Sequence, residues 1–249
     1  MCDDHDLESF RKEGFSRRSF ATLVAGAGLG LALTGCATAA DGAAAGLTES
    51  MVSIDTADGT MDAFFVHPAS GASPAVIIWP DIAGLRDAFK MMARRLAGEG
   101  YAVLVANPYY RNVPAPQFAD FDAFRAEGGF QKVGPWRAAA DAEAIMRDTT
   151  SLIAYLDAQD AVDETRGVGA QGYCMGGPYT VWSAAGLPGR MRAAASFHGG
   201  GLVGDKETSP INLFDDINAN LLIAIAQNDD AKAPDDKTKL REAAEANGV

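Results

Sequence analysis

Short runs of apolar residues recur along the chain at intervals that suit strands separated by helices. Residues 75–79, 101–106 and 221–226 are continuous apolar runs, and residues 167–173 and 192–197 are strand-like stretches of similar length. Runs of this kind, bounded by turn residues, read as strands buried on both faces. Between and after them lie helix-compatible segments at 86–97, 136–159, 175–185 and 235–247; in the second, Ile145, Leu152, Ile153 and Leu156 fall on one face. Strand, loop, helix, strand at this spacing is a βαβ unit, which predicts an α/β fold: a mostly parallel sheet with helices on both faces. Ahead of it, residues 51–55 and 61–67 flank Ala57-Asp58-Gly59-Thr60 and predict a β-hairpin.

The stretch that organises the rest is residues 169–177, where a strand stops at Cys174 and a helix starts directly after it. Gly172 and Gly176 stand two residues before and after the cysteine, and Gly177 follows, giving Gly-x-Cys-x-Gly-Gly. This is the cysteine form of a nucleophile elbow, a strained turn that tolerates no side chains at its flanks. Such a turn exposes the sulfur and aims a helix N-terminus at it, leaving the Met175 N–H to hold an oxyanion. The plain alternative is a buried cysteine beside a Gly-rich turn.

Other candidates sit at the carboxyl ends of the predicted strands, where sites of such sheets lie. In the segment from Pro80 to Leu85 the Ile82 amide is the candidate second oxyanion donor, while Asp81 either tunes the thiol or caps the following helix. Arg111 follows the next strand; facing the cleft it would bind an anionic substrate, and otherwise it is a solvated loop arginine. His198 ends the strand at 192–197, one strand too early for the base of a triad, and is expected to line the pocket or support the fold. His67, at a strand end before Pro68, reads as a surface residue. After the strand at 221–226, the position of the orienting carboxylate falls on Asp229 or Asp230. Residues 112–135 form a long excursion suited to a lid or pocket wall.

Taken together, the elbow at 172–177, the loop at 79–85, Asn107-Pro108-Tyr109-Tyr110-Arg111 and Asn228-Asp229-Asp230 resemble the dienelactone hydrolase family of the α/β-hydrolase superfamily, from residue 51 onward. The resemblance implies opening of enol-lactones or esters by a Cys174 nucleophile, Asp229 or Asp230 orienting a histidine, and an oxyanion hole of the Ile82 and Met175 amides. It gives Arg111 the substrate carboxylate and asks for no metal or cofactor. Two departures stand out. Asp81 occupies the place of a family glutamate, and the family's catalytic histidine follows one further strand after the helix at 235–247. None of His5, His67 and His198 lies there, so the chain is expected to lack the last strand and helix. The competing expectation is a non-catalytic protein that uses the cleft to bind a small molecule.

Charge and the N-terminus add an address. A net charge of -12 and no cluster of basic residues in the folded part exclude a nucleic-acid surface. Three cysteines in unrelated contexts, Cys2, Cys36 and Cys174, give no disulfide framework. Ser16-Arg17-Arg18-Ser19-Phe20 followed by a Gly/Ala-rich apolar run looks like a twin-arginine export signal. Leu33-Thr34-Gly35-Cys36 resembles a lipobox, so the preferred reading is a lipoprotein attached through Cys36, periplasmic or membrane-anchored; Ala37-Thr38-Ala39 offers ordinary cleavage instead. Residues 37–50 then form a flexible tether and 51–249 the domain. A single catalytic domain suits the 249-residue length.

Overall fold

The structure, a computed structural model, describes residues 46–249. The export signal, the lipobox at Cys36 and most of the tether lie outside the described residues. The sheet begins earlier than expected: β1 (Leu47–Thr56) pairs antiparallel with β2 (Gly59–Pro68) along its full length, from Leu47 opposite Pro68 to Thr56 opposite Gly59. Alternation is weak at 47–50, but β2 supplies a complete hydrogen-bonding edge, and that draws these residues out of the tether.

Among the described residues seven strands form one sheet in the order β1-β2-β4-β3-β5-β6-β7, where β3 is Ala75–Trp79, β4 Ala102–Ala106, β5 Val168–Tyr173, β6 Met191–Phe197 and β7 Asn220–Ala224. From β4 to β7 every pairing is parallel. The register aligns Trp79 with Gly172, Gly172 with Ser196 and Phe197 with Ala224, so the loops after β3, β5, β6 and β7 emerge at one rim.

Two apolar layers hold the sheet. On one face Ile77, Trp79 and Leu104 meet α4 (Ala142–Asp157) and α5 (Gly176–Gly186). On the other, Ile78, Val103 and Val105 meet Phe89 and Ala93 of α1 (Asp87–Gly98). The Trp79 indole N–H donates to Ser183 Oγ at 2.9 Å, and Thr149 Oγ1 lies 2.9 Å from the same hydroxyl, so β3, α4 and α5 share one satisfied buried polar contact. Helices on both faces hold for β2, β3 and β4, but α1 does not reach the far end of the sheet. Among the described residues β7 is an edge, and its Leu222 is 56% exposed.

The helix expected over 136–159 is two. α3 (Gly129–Ala138) ends first, and α4 starts after Asp141, whose carboxylate accepts the Ala144 N–H at 2.9 Å. That cap competes successfully with helix continuation through Ala139 and Ala140. Within the excursion, α2 (Phe121–Ala126) and α3 fold onto an aromatic cluster in which Phe118, Phe124 and Phe130 contact edge to face and Trp136 meets Tyr109. The excursion is therefore a packed wall. Downstream, residues 227–230 begin a short helix, α6 (Gln227–Lys232), and α7 (Asp236–Asn247) ends the described chain.

Candidate active site

Cys174 sits between β5 and α5 with φ +53, a left-handed conformation that L side chains rarely adopt. Its neighbours explain why the chain tolerates this. A Cβ on Gly172 would collide with the Gly176 carbonyl, and one on Gly176 with the Trp79 carbonyl. Both glycines are thus required by the close approach of strand, turn and helix. The Cys174 N–H donates to the Phe197 carbonyl at 3.0 Å and its carbonyl accepts the Gly177 N–H at 3.0 Å, which pins the turn from both sides.

The thiol is half-buried, and burial pushes its pKa up. The Met175 N–H, donating toward the sulfur, acts in the opposite direction; the Asp81 carboxylate adds to the rise and the Arg137 guanidinium opposes it. Ile82, in the turn after β3, lines the same cleft, and its N–H donates to no other protein group among the described residues. Its carbonyl accepts the Tyr109 hydroxyl at 2.8 Å, and that hydroxyl lies 3.1 Å from Met175 Sδ. The two amides expected to form an oxyanion hole therefore belong to loops braced by one tyrosine. Tyr109, fully buried and itself pushed up in pKa by that burial, carries no sequence signal beyond its strand-end position.

A cleft of about 640 Å³ opens at Cys174, lined also by Ile82 and Met175, with Tyr179 and Trp182 as an aromatic wall. Arg137, from the end of α3, lines the same cleft.

Several sequence-derived candidates are positioned elsewhere. Arg111 does not line the cleft. Its guanidinium is engaged by Asp148, at 2.9 and 2.8 Å, and by Asp58, at 3.1 and 2.7 Å, which leaves no donor pair for a substrate carboxylate. The cause is Asp148 on α4, only 1% exposed: a carboxylate removed from water in this way requires a cation beside it. Asp81 accepts the Ala83 N–H at 2.9 Å and a bidentate pair from Arg86 at 2.7 and 2.8 Å, so it stabilises its own turn and touches the thiol only through its field. It does not cap α1, whose N-cap is Arg86.

His198 is exposed, with φ +44 at the end of β6, and does not line the cleft. Asp230 pairs with Lys237 at 2.8 Å, and Asp229 lies in α6 beside Asn228. The His67 Nδ1–H donates to the Pro68 carbonyl, 2.8 Å away. Among the described residues no imidazole meets Cys174, Asp229 or Asp230. No group of three or more potential metal ligands occurs among them either.

Sheet order, strand-end loops and a cysteine elbow define an α/β-hydrolase-fold protein. A model of the dienelactone hydrolase family matches residues 61–249, and the chain belongs to that family. It is 29% identical over 182 residues to a relative from Salmonella typhi, covering 71% of this chain and 63% of that protein. It is 30% identical over 157 residues to a carboxymethylenebutenolidase of Pseudomonas putida, covering 63% of each. The aligned part thus spans less than two thirds of the length of both relatives. Among solved structures, a dienelactone hydrolase-like promiscuous phosphotriesterase, P91, from metagenomic libraries has the same fold, with a TM-score of 0.62, 23% identity, and coverage of 82% of this chain and 79% of that one.

Proposed function

We propose that this protein hydrolyses carboxylic esters or lactones through Cys174. The thiolate adds to the carbonyl, the alcohol oxygen leaves and takes a proton from water, and the hydroxide so formed attacks the acyl-cysteine to release the acid and the thiolate. The observation that carries the reading is the left-handed Cys174 at the start of α5, in a cleft also lined by Met175 and by Ile82, whose amide is unengaged among the described residues. Those donors meet the charge that develops on the carbonyl oxygen, ordinarily the strongest source of rate enhancement in such catalysis. Family membership over residues 61–249 supports the same chemistry.

The test is release of 4-nitrophenol from 4-nitrophenyl acetate, with a mass increment of one acetyl group at Cys174 in a quenched reaction. Hydrolysis lost in Cys174→Ala is expected. Full activity in that variant overturns the reading.

A second reading has its own observation. No imidazole approaches Cys174 among the described residues, and a missing base costs ~10²–10⁴-fold in such reactions. A protein that keeps the cleft to bind a small molecule would give no turnover and no acyl-cysteine. We further propose export by the twin-arginine route and lipidation at Cys36, supported by Arg17-Arg18 and the Leu33 to Cys36 motif. Incorporation of labelled palmitate, lost in Cys36→Ala, tests it.

A further inference from the structure

We propose that Arg137, rather than Arg111, receives the carboxylate of an anionic substrate held with its ester carbonyl over Cys174. The proposal rests on the hydrolase reading for what the anion is attached to, and on the cleft itself for where the anion binds.

Few cations are in a position to serve. Arg111 is saturated by Asp58 and Asp148 and lies outside the cleft. Of the described residues that line the cleft, Arg137 alone is a cation. Its guanidinium makes no ion pair or hydrogen bond within the described residues, which leaves its donors to a ligand. The only carboxylate on the same lining is Asp141, and that group is committed to the Ala144 N–H at the start of α4. Asp141 lowers the local potential but does not occupy the fork.

Position comes from the wall that carries Arg137. The preceding residue, Trp136, meets Tyr109 with ring centroids 5.5 Å apart and Phe118 at 6.3 Å, which fixes the end of α3 against the core. The rest of the cleft is largely apolar, with Pro178, Tyr179 and Trp182 on its lining. Arg137 is exposed at the mouth of this cleft, where its planar fork suits a carboxylate. Its charge already reaches the chemistry: it opposes the burial-driven rise in the pKa of Cys174, Tyr109 and Tyr179 alike. A substrate with an apolar body and a carboxylate at one end fits this layout, the body on the aromatic wall and the anion on Arg137.

The test compares alkylation of Cys174 by 3-maleimidopropionate and by N-ethylmaleimide, read at the Cys174 peptide by mass spectrometry on the full chain. Because both reagents need the same thiolate, the ratio of their rates cancels any change in ionisation. The ratio is expected to fall about 10-fold in Arg137→Gln, to recover in Arg137→Lys, and to decline with added salt in the wild type. Where esters are turned over, KM for 4-nitrophenyl hydrogen succinate rises about 10-fold in Arg137→Gln, while its neutral methyl ester changes little. An unchanged alkylation ratio in Arg137→Gln overturns the proposal, whether or not the protein is an esterase. A ratio that falls in a protein that hydrolyses no ester leaves the anion site standing and removes the hydrolase reading.

Discussion

The Tyr109 hydroxyl donates to the Ile82 carbonyl at 2.8 Å and so ties the loop after β4 to the loop after β3. The peptide group it holds is the one that follows the free Ile82 N–H, and a fixed donor needs no reorganisation when charge develops on a substrate oxygen. Tyr109→Phe keeps the ring against Trp136 and removes only the hydroxyl contacts. We expect kcat for a 4-nitrophenyl ester to fall about 10-fold with KM nearly unchanged, and stability to fall by about 1 kcal/mol in urea unfolding.

Arg111 leads to the opposite pattern. Asp148, 1% exposed, depends on it, with Tyr110 Oη at 2.7 Å as the other partner. Arg111→Gln leaves a buried carboxylate short of its cation and is expected to cost about 3 kcal/mol in urea unfolding. The fraction that remains folded keeps its KM for a carboxylate-bearing ester. A variant of unaltered stability with raised KM would return Arg111 to the substrate.

The contrast between these two residues marks what the chain discloses by itself. The elbow was legible because its residue pattern is local: the Gly172 site is crowded by the Gly176 carbonyl four residues on, and the whole Gly-x-Cys-x-Gly-Gly signal falls within six positions, even though Gly176 itself is held by the Trp79 carbonyl of β3. The βαβ order was legible for the same reason, through short apolar runs. Arg111 was not, since its orientation is decided by Asp58 and Asp148, 53 and 37 positions away. Arg137 was hidden inside what reads as one long helix; the signal was Asp141, a helix-capping residue that splits the segment and leaves Arg137 at a helix end on the cleft.

The elbow glycines set a sharp stability test. In Gly176→Ala the added methyl collides with the Trp79 carbonyl, and backbone on both sides would have to move. A loss of more than about 2 kcal/mol, or no soluble protein, is expected. Gly189→Ala, where the new Cβ meets nothing within 4 Å, is the control and is expected to unfold like the wild type.

The exposed end of the sheet should govern self-association. Leu222 on β7, an edge strand among the described residues, is 56% exposed, and strands that present apolar side chains beside unpaired backbone groups promote edge pairing. Leu222→Lys is expected to lower the aggregated fraction in light scattering without changing Cys174 alkylation. Equal scattering in both proteins would mean that this edge is not the contact.

The pH dependence of the thiol follows from its surroundings with a definite sign. The thiolate is the reactive form, so alkylation and any Cys174 hydrolysis rise with pH. Burial, the largest influence, raises the pKa, and the Met175 N–H, which acts against it, does not cancel it. The rise in rate with pH should therefore be centred above that of free cysteine in the same titration with iodoacetamide. Asp81→Asn removes a negative charge that favours the protonated thiol, and its profile should move to lower pH. Arg137→Gln removes a positive charge that favours the thiolate, and its profile should move the other way. Two shifts of opposite sign, from two residues of opposite charge, would be the electrostatic signature of a thiol set in the field of both. A profile that coincides with free cysteine in all three proteins would mean that the sulfur is more open to solvent than its half-buried position implies.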